Sequence, residues 1–329
     1  MKKFTLTPSS GSNLSLVHPT RFTIDYRKEL NDAQHKAVTS LDGPHLIIAG
    51  AGTGKTRTIV YRVAYLVELG IKPDRILLLT FTRKASREML RRASMLLDAR
   101  CEHVSGGTFH SFANGILRKY ATLLGYENNF TILDQSDAED VISLIRTRMK
   151  LDTKQKRFPR KETIYDLHSR ALNTMTPVEE LLAADYPHYL ELVEDILKIH
   201  AAYMVYKKKN NLMDYDDLLV NLAELMRHHD AVRASLSSKY AYMMVDEYQD
   251  TNKIQAEIVR LLAYKHQNVM VVGDDAQSIY SFRGSSIKNI LEFPELFPGC
   301  VTVTLEENFR SSMPILRLAN EILRGSMIR

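Results

Sequence analysis

Three glycines within five residues, Gly50, Gly52 and Gly54, run straight into Lys55-Thr56. A chain that must wrap polyphosphate with backbone N–H groups needs this composition, because side chains at the glycine positions would block the approach. Lys55 then has the reach for the β- and γ-phosphates, and the Thr56 hydroxyl is placed to ligate Mg²⁺ where a helix begins. The candidate nucleotide site is the run Ala49-Gly50-Ala51-Gly52-Thr53-Gly54-Lys55-Thr56-Arg57. The strict pattern has glycine where Ala49 stands, so it is met in its relaxed form.

A phosphate loop of this kind needs acidic partners. Asp246 and Glu247 supply them, directly after the apolar run Tyr242-Met243-Met244-Val245. The first would hold Mg²⁺ through its hydration shell, and the second would orient and deprotonate the attacking water. Phosphoryl transfer is chiefly positioning and charge neutralisation, so Lys55, Mg²⁺ and Asp246 must converge on one nucleotide.

The elements that could bring them together follow from periodicity. Leu46-Ile47-Ile48 reads as a buried strand, and Ile59, Val63 and Leu66 recur at helical spacing until Gly70 and Pro73 stop the helix. A second strand, Ile76 to Phe81, leads into a helix carrying Arg87, Arg91 and Arg92; a third lies near His103 to Thr108. Further strands are expected at Tyr242, at Val269 to Val272 and at Val301 to Leu305, each with a helix behind it. Strands alternating with helices imply a parallel α/β sheet whose ligands gather at the carboxyl ends of the strands.

Between about 112 and 205 the pattern is helical, with a capping box read at Ser136 to Glu139, so an all-helical insertion is expected there. Val141 to Lys161 carries eight Lys or Arg against Asp152 alone; that run and Lys207-Lys208-Lys209 are candidate nucleic-acid contacts or solvated faces. Asp214-Tyr215-Asp216-Asp217 is read as acids meeting a helix dipole rather than as a metal cluster. The expected units are an arm over 1–28, an ATPase domain in two parts over 29–111 and 206–285, the insertion over 112–205, and the opening of a further domain over 286–329.

Bulk composition fits this plan. The 329 residues are 45% hydrophobic, enough to bury a core without disulfides, and the two cysteines, Cys101 and Cys300, lie far apart with no zinc-like spacing. No apolar segment follows Lys2 and Lys3 as a signal peptide requires, so a soluble cytoplasmic protein is expected. A net charge of +5 is compatible with nucleic acid without demonstrating it.

The chain resembles the superfamily 1 DNA helicases of the UvrD/Rep/PcrA type over about Leu30 to Leu323. The resemblance rests on Ala49 to Thr56, Thr80-Phe-Thr-Arg-Lys-Ala-Ser86, Gly107-Thr-Phe-His-Ser111, Val245-Asp-Glu-Tyr-Gln-Asp250, Val272 to Gly284 and Leu305-Glu-Glu-Asn-Phe-Arg-Ser311, in that order. It implies a RecA-like ATPase domain completed by a second one, with ATP and Mg²⁺ between them. It makes Gln34 the adenine reader, Phe309 an aromatic on the base, and Gln277 and Arg310 sensors of the γ-phosphate. It also assigns Phe81, Arg83, His110, Tyr280, Phe282 and Arg283 to single-stranded DNA, with Phe282 where the family often has tryptophan and Arg83 where it commonly has asparagine. The implied activity is ATP-driven 3′ to 5′ translocation and unwinding at single/double-strand junctions. The family's later motifs have no counterpart before Arg329, so this chain alone is expected to bind ATP and DNA with impaired hydrolysis. The competing readings are a nucleotide-controlled DNA-binding module and a subunit of a helicase–nuclease complex.

Overall fold

The computed structural model describes residues 22–151, 158–274 and 288–327. Its centre is a parallel sheet of β1 (His45–Ala49), β2 (Ile76–Leu79), β3 (Ser105–Gly107), β6 (Tyr242–Val245), β7 (Val269–Gly273) and β8 (Val301–Leu305), in the spatial order β3-β2-β6-β7-β1-β8. Two short strands, β4 (Thr131–Ile132) and β5 (Leu212–Met213), pair in parallel apart from it.

The sheet is covered on both faces because its strands alternate between two buried sets, as the two-residue period of a strand requires. Leu77, Leu79, Met243, Val245, Val269 and Val271 pack beneath helices Phe109–Tyr120, Tyr215–His228, Lys253–Leu262 and Lys288–Leu296. Ile76, Leu78, Met244, Met270 and Val272 point the other way, against helices Asp32–Thr39, Lys55–Glu68 and Arg83–Leu96. The resulting three layers form a RecA-like α/β domain, with loops from several strands meeting at the carboxyl edge.

The outer boundaries differ from expectation. β8 pairs with β1 over its whole length, His45 to Ala49 against Val301 to Leu305, and buries Val303 and Leu305 in the second of those layers. Residues up to Leu305 therefore complete the first sheet rather than open another domain at 286. After it, helix Met313–Met327 leaves Met313, Ile315, Leu318 and Ile322 exposed.

The insertion likewise begins later than 112, since Phe109, Ala113, Ile116 and Leu117 are buried on the main sheet. Its own cores lie among helices Gln135–Arg148, Lys161–Thr174, Val178–Asp185 and Val193–Lys209. The first of these is capped by Asp134, whose side chain accepts from the Asp137 N–H, and not by Ser136. Of the arm, residues 1–21 lie outside the described residues, while Phe22 stacks on Tyr65 and Tyr26 donates to Glu68 at 2.7 Å, fastening 22–29 to the Lys55 helix.

Some members of the two basic runs are taken up in packing, while Arg148, Lys150, Lys208 and Lys209 are exposed. Lys161 pairs with Asp140 and Arg146 sits over the Phe158 ring, while Lys154, Lys156 and Arg157 lie outside the described residues. Lys207, read from its lysine triplet as a surface charge, is 1% exposed and lies 2.6 Å from Asp214 and 2.7 Å from Asp217. Burial opposes its charge, but the two carboxylates outweigh that and hold its pKa above the ordinary lysine value. Asp214 does cap the helix Tyr215–His228, in a capping box with Asp217, so those acids serve both the helix terminus and a buried ion cluster.

Candidate functional site

β1 ends at Ala49 and the chain turns at once through the glycine loop into helix Lys55–Glu68. Gly52 and Gly54 take φ of +83° and +94°, which a β-carbon disfavours, and Gly54 is the residue that caps the helix. Space is equally tight: a Cβ on Gly54 would lie 2.6 Å from the Gln34 amide nitrogen, and one on Gly52 would lie 2.6 Å from the Arg310 Cβ. Thr53 closes the turn, with its hydroxyl donating to the Gly50 carbonyl at 2.8 Å. Thr56 stands in the first turn of the helix, half-buried.

β6 delivers Asp246 and Glu247 to the same edge, two strands away from β1 with β7 between them. Lys55 Nζ lies 3.0 Å from Glu247 Oε2, so the cation meant for phosphate and the expected base hold one another. Glu247 reaches that position from a left-handed backbone, φ +50° and ψ +49°, a conformation rare outside glycine and asparagine. Gln249, which carried no assigned role in the sequence, ties the centre together. Its Nε2 donates to Glu247 Oε2 at 2.8 Å, and its Oε1 accepts from the Asp274 N–H at 3.0 Å at the end of β7.

Asp246 is 7% exposed, and its Oδ1 has no hydrogen-bond partner. Burial first, then the Glu247 charge, raise its pKa to about 7, against the opposing pull of Lys55. Asp250 is raised to about 6 by burial and by Glu247. A buried carboxylate with one oxygen unpartnered, beside a phosphate cradle, fits a hydrated divalent cation, which would favour the ionised form of Asp246.

Gln34 is buried, held by the Asn31-capped helix Asp32–Thr39, and donates from Nε2 to the Thr53 carbonyl at 3.2 Å. Arg57 is turned toward Glu29, donating to its carbonyl at 2.7 Å and to its carboxylate at 3.1 Å. Phe309 and Arg310, beyond β8, come to the rim of the same loop, where the Phe309 N–H donates to the Gly52 carbonyl at 2.9 Å and the residue is 61% exposed. The residues from Ala49 to Arg57, with Gln34, Asp246, Glu247, Phe309 and Arg310, are thus gathered at one edge.

A cleft of about 470 Å³ opens beside it, between the sheet edge and the helical insertion. Phe81 and His110 line it from the ends of β2 and β3, together with Asp246, Glu247 and Asp250, and Tyr165 and Asn173 face them from the insertion. Phe81 is exposed, and burial lowers the His110 pKa, favouring the neutral ring. Arg83 begins helix Arg83–Leu96 and is exposed, outside the cleft lining. The insertion is joined to the carboxyl edge of the sheet by a chain of side chains: Asn173 donates to Asp216 at 2.7 Å, and Asn252 donates to Asn173 at 2.7 Å. Asn252 was legible only as a helix cap, from the Asn-x-x-Gln spacing to Gln255. Gln277, Tyr280, Phe282 and Arg283 lie outside the described residues.

Residues 30–298 match the model of the UvrD/REP helicase N-terminal domain. The protein named ATP-dependent DNA helicase PcrA of Bacillus subtilis is 40% identical over 301 residues, covering 91% of this chain and 40% of the relative. Its namesakes in Staphylococcus aureus and Staphylococcus epidermidis are each 38% identical, over 302 and 303 residues. The chain spans about 40% of the length of these curated relatives. With a glycine-rich loop, an acidic pair and an aromatic-rimmed cleft on one RecA-like sheet, the chain belongs to the UvrD/REP helicase N-terminal domain family.

Proposed function

We propose that this chain is the ATP-binding portion of an ATP-dependent DNA translocase and helicase that moves 3′ to 5′ on single-stranded DNA and acts at single/double-strand junctions in the cytoplasm. The observation that carries the reading is the 3.0 Å contact of Lys55 with Glu247 at the carboxyl edge of one sheet, beside the unpartnered Asp246 Oδ1. The names of the PcrA relatives support the substrate and the activity.

In this reading Lys55 and the glycine-loop amides hold the phosphates, Gln34 and Phe309 hold the base, and Arg57 flanks the site. Thr56 and Asp246 would hold Mg²⁺, which supplies charge neutralisation at the phosphates when bound. Glu247 accepts the proton of the attacking water once nucleotide has drawn Lys55 away from it. Gln277 and Arg310 are assigned to the γ-phosphate, and Arg310 already stands at the loop rim. Phe81, Arg83, His110, Tyr280, Phe282 and Arg283 are assigned to DNA, where stacking on aromatic rings tolerates any base. The exposed apolar face of helix Met313–Met327 supports its packing against further protein in the working motor.

No helix among the described residues is long and apolar enough to cross a membrane. The test of the function is steady-state ATP hydrolysis with and without single-stranded DNA, for this chain and for a version extended to the length of its relatives. Strong DNA stimulation in the extended form, with weak turnover in this chain, is the expected result. Nucleotide binding without stimulation in either would replace the motor by a nucleotide-controlled DNA-binding module.

A further inference from the structure

Three consecutive carbonyls of the phosphate loop are held from outside the loop. The Ala51 carbonyl accepts from Asn308 Nδ2 at 2.5 Å, the Gly52 carbonyl from the Phe309 N–H at 2.9 Å, and the Thr53 carbonyl from Gln34 Nε2 at 3.2 Å. A trans peptide sets each C=O opposite the N–H that follows it. Holding the carbonyls of Ala51 and Thr53 therefore fixes where the N–H groups of Gly52 and Gly54 point.

Asn308 does two things at once. Its Oδ1 accepts from the N–H groups of Arg310 and Ser311, both at 2.9 Å, while its Nδ2 reaches the loop. One side chain thus shapes the turn that carries Phe309 and Arg310 and fastens that turn to the cradle. The segment is steadied further by Asn31, which caps the Gln34 helix and donates to Glu307 at 2.9 Å. Gly52 is needed for the closeness of the fit, since a Cβ there would also come within 2.9 Å of Asn308 Oδ1.

We propose that Asn308 is a positioning residue that latches the Phe309–Arg310 segment to the carbonyl side of the phosphate loop, so that the loop and the residues meant for base and γ-phosphate are set as one unit. The proposal rests on the reading that this loop binds nucleotide. Its consequence is selective. Losing the latch frees Arg310 and so weakens ATP more than ADP, whereas a general loss of structure would weaken both alike.

The experiment is equilibrium binding of N-methylanthraniloyl ATP and ADP, with Mg²⁺, to the wild-type chain, Asn308→Ala and Asn308→Ser. Serine is uncharged and retains an oxygen that can cap the turn, but it is too short to reach Ala51. Both variants are expected to bind the ATP analogue about three- to tenfold more weakly, the value of one lost hydrogen bond. The loss for the ADP analogue is expected to stay within about twofold, below that same range. Wild-type affinity in Asn308→Ser beside a loss in Asn308→Ala would assign the effect to the turn alone and overturn the latch, as would equal losses for the two nucleotides or no loss in either variant. Failure of the wild-type chain to bind either analogue would overturn the nucleotide reading and the latch with it.

Discussion

Glu247→Gln is expected to lower ATP turnover by about 10²- to 10⁴-fold at saturating nucleotide and DNA, the range for removal of a general base. Binding should survive. The glutamine amide keeps an oxygen for Lys55, and loss of the carboxylate removes the charge that competes with phosphate for that ammonium, now 3.0 Å away. Asp246 responds as well, because the Glu247 charge is the second cause of its raised pKa, after burial. With that charge gone, Asp246 ionises at lower pH and becomes a readier cation ligand. Turnover measured beside analogue binding on the same preparation separates these effects. Unchanged hydrolysis would remove Glu247 from the role of base, and lost binding would make its role structural.

The largest expected effect on stability belongs to Lys207→Met, which keeps the length of the side chain and removes its charge. Asp214 and Asp217 would then be buried without their cation, and breaking such a pair costs about 3–5 kcal/mol. In the wild type, burial works against the charge of Asp214, and Lys207 nevertheless holds its pKa below the ordinary value. Burial and Asp214 keep Asp217 raised to about 6. Without Lys207 both carboxyls have folded-state pKa values above their unfolded ones, so the folded variant takes up protons that the unfolded chain does not. Its stability must rise as pH falls through those folded values. Urea unfolding at pH 8 and pH 5 checks both points: the deficit relative to wild type should be large at pH 8 and smaller at pH 5. A deficit independent of pH would mean that it does not arise from leaving the Asp214 and Asp217 carboxylates without their cation.

The parts of this molecule legible in its sequence are those whose physics is local. Glycine spacing before Lys55 and the apolar run before Asp246 state their own geometry, a tight turn after one buried strand and an acidic pair after another. Partners far apart in the chain left no such mark. Val301–Leu305 reads as a strand, but nothing in five alternating residues says that its neighbour is β1 and not a strand of another domain. Lys207 is indistinguishable in sequence from Lys208 and Lys209; the helical phase that turns it toward Asp214 depends on how the insertion packs. Asn308 lies inside a recognisable motif, yet its reach to Ala51, 257 residues earlier, exists only once β8 has been added beside β1.

Equilibrium titration of Mg²⁺–ATP into this chain and into Lys55→Ala tests the central claim most directly. Saturable binding is expected in the wild type, weakened by about 10- to 100-fold in the variant, as suits the loss of a charge-assisted contact to phosphate. Equal affinity in the two chains, or no binding in the wild type, would contradict the assignment of the Gly50–Thr56 loop as the nucleotide site.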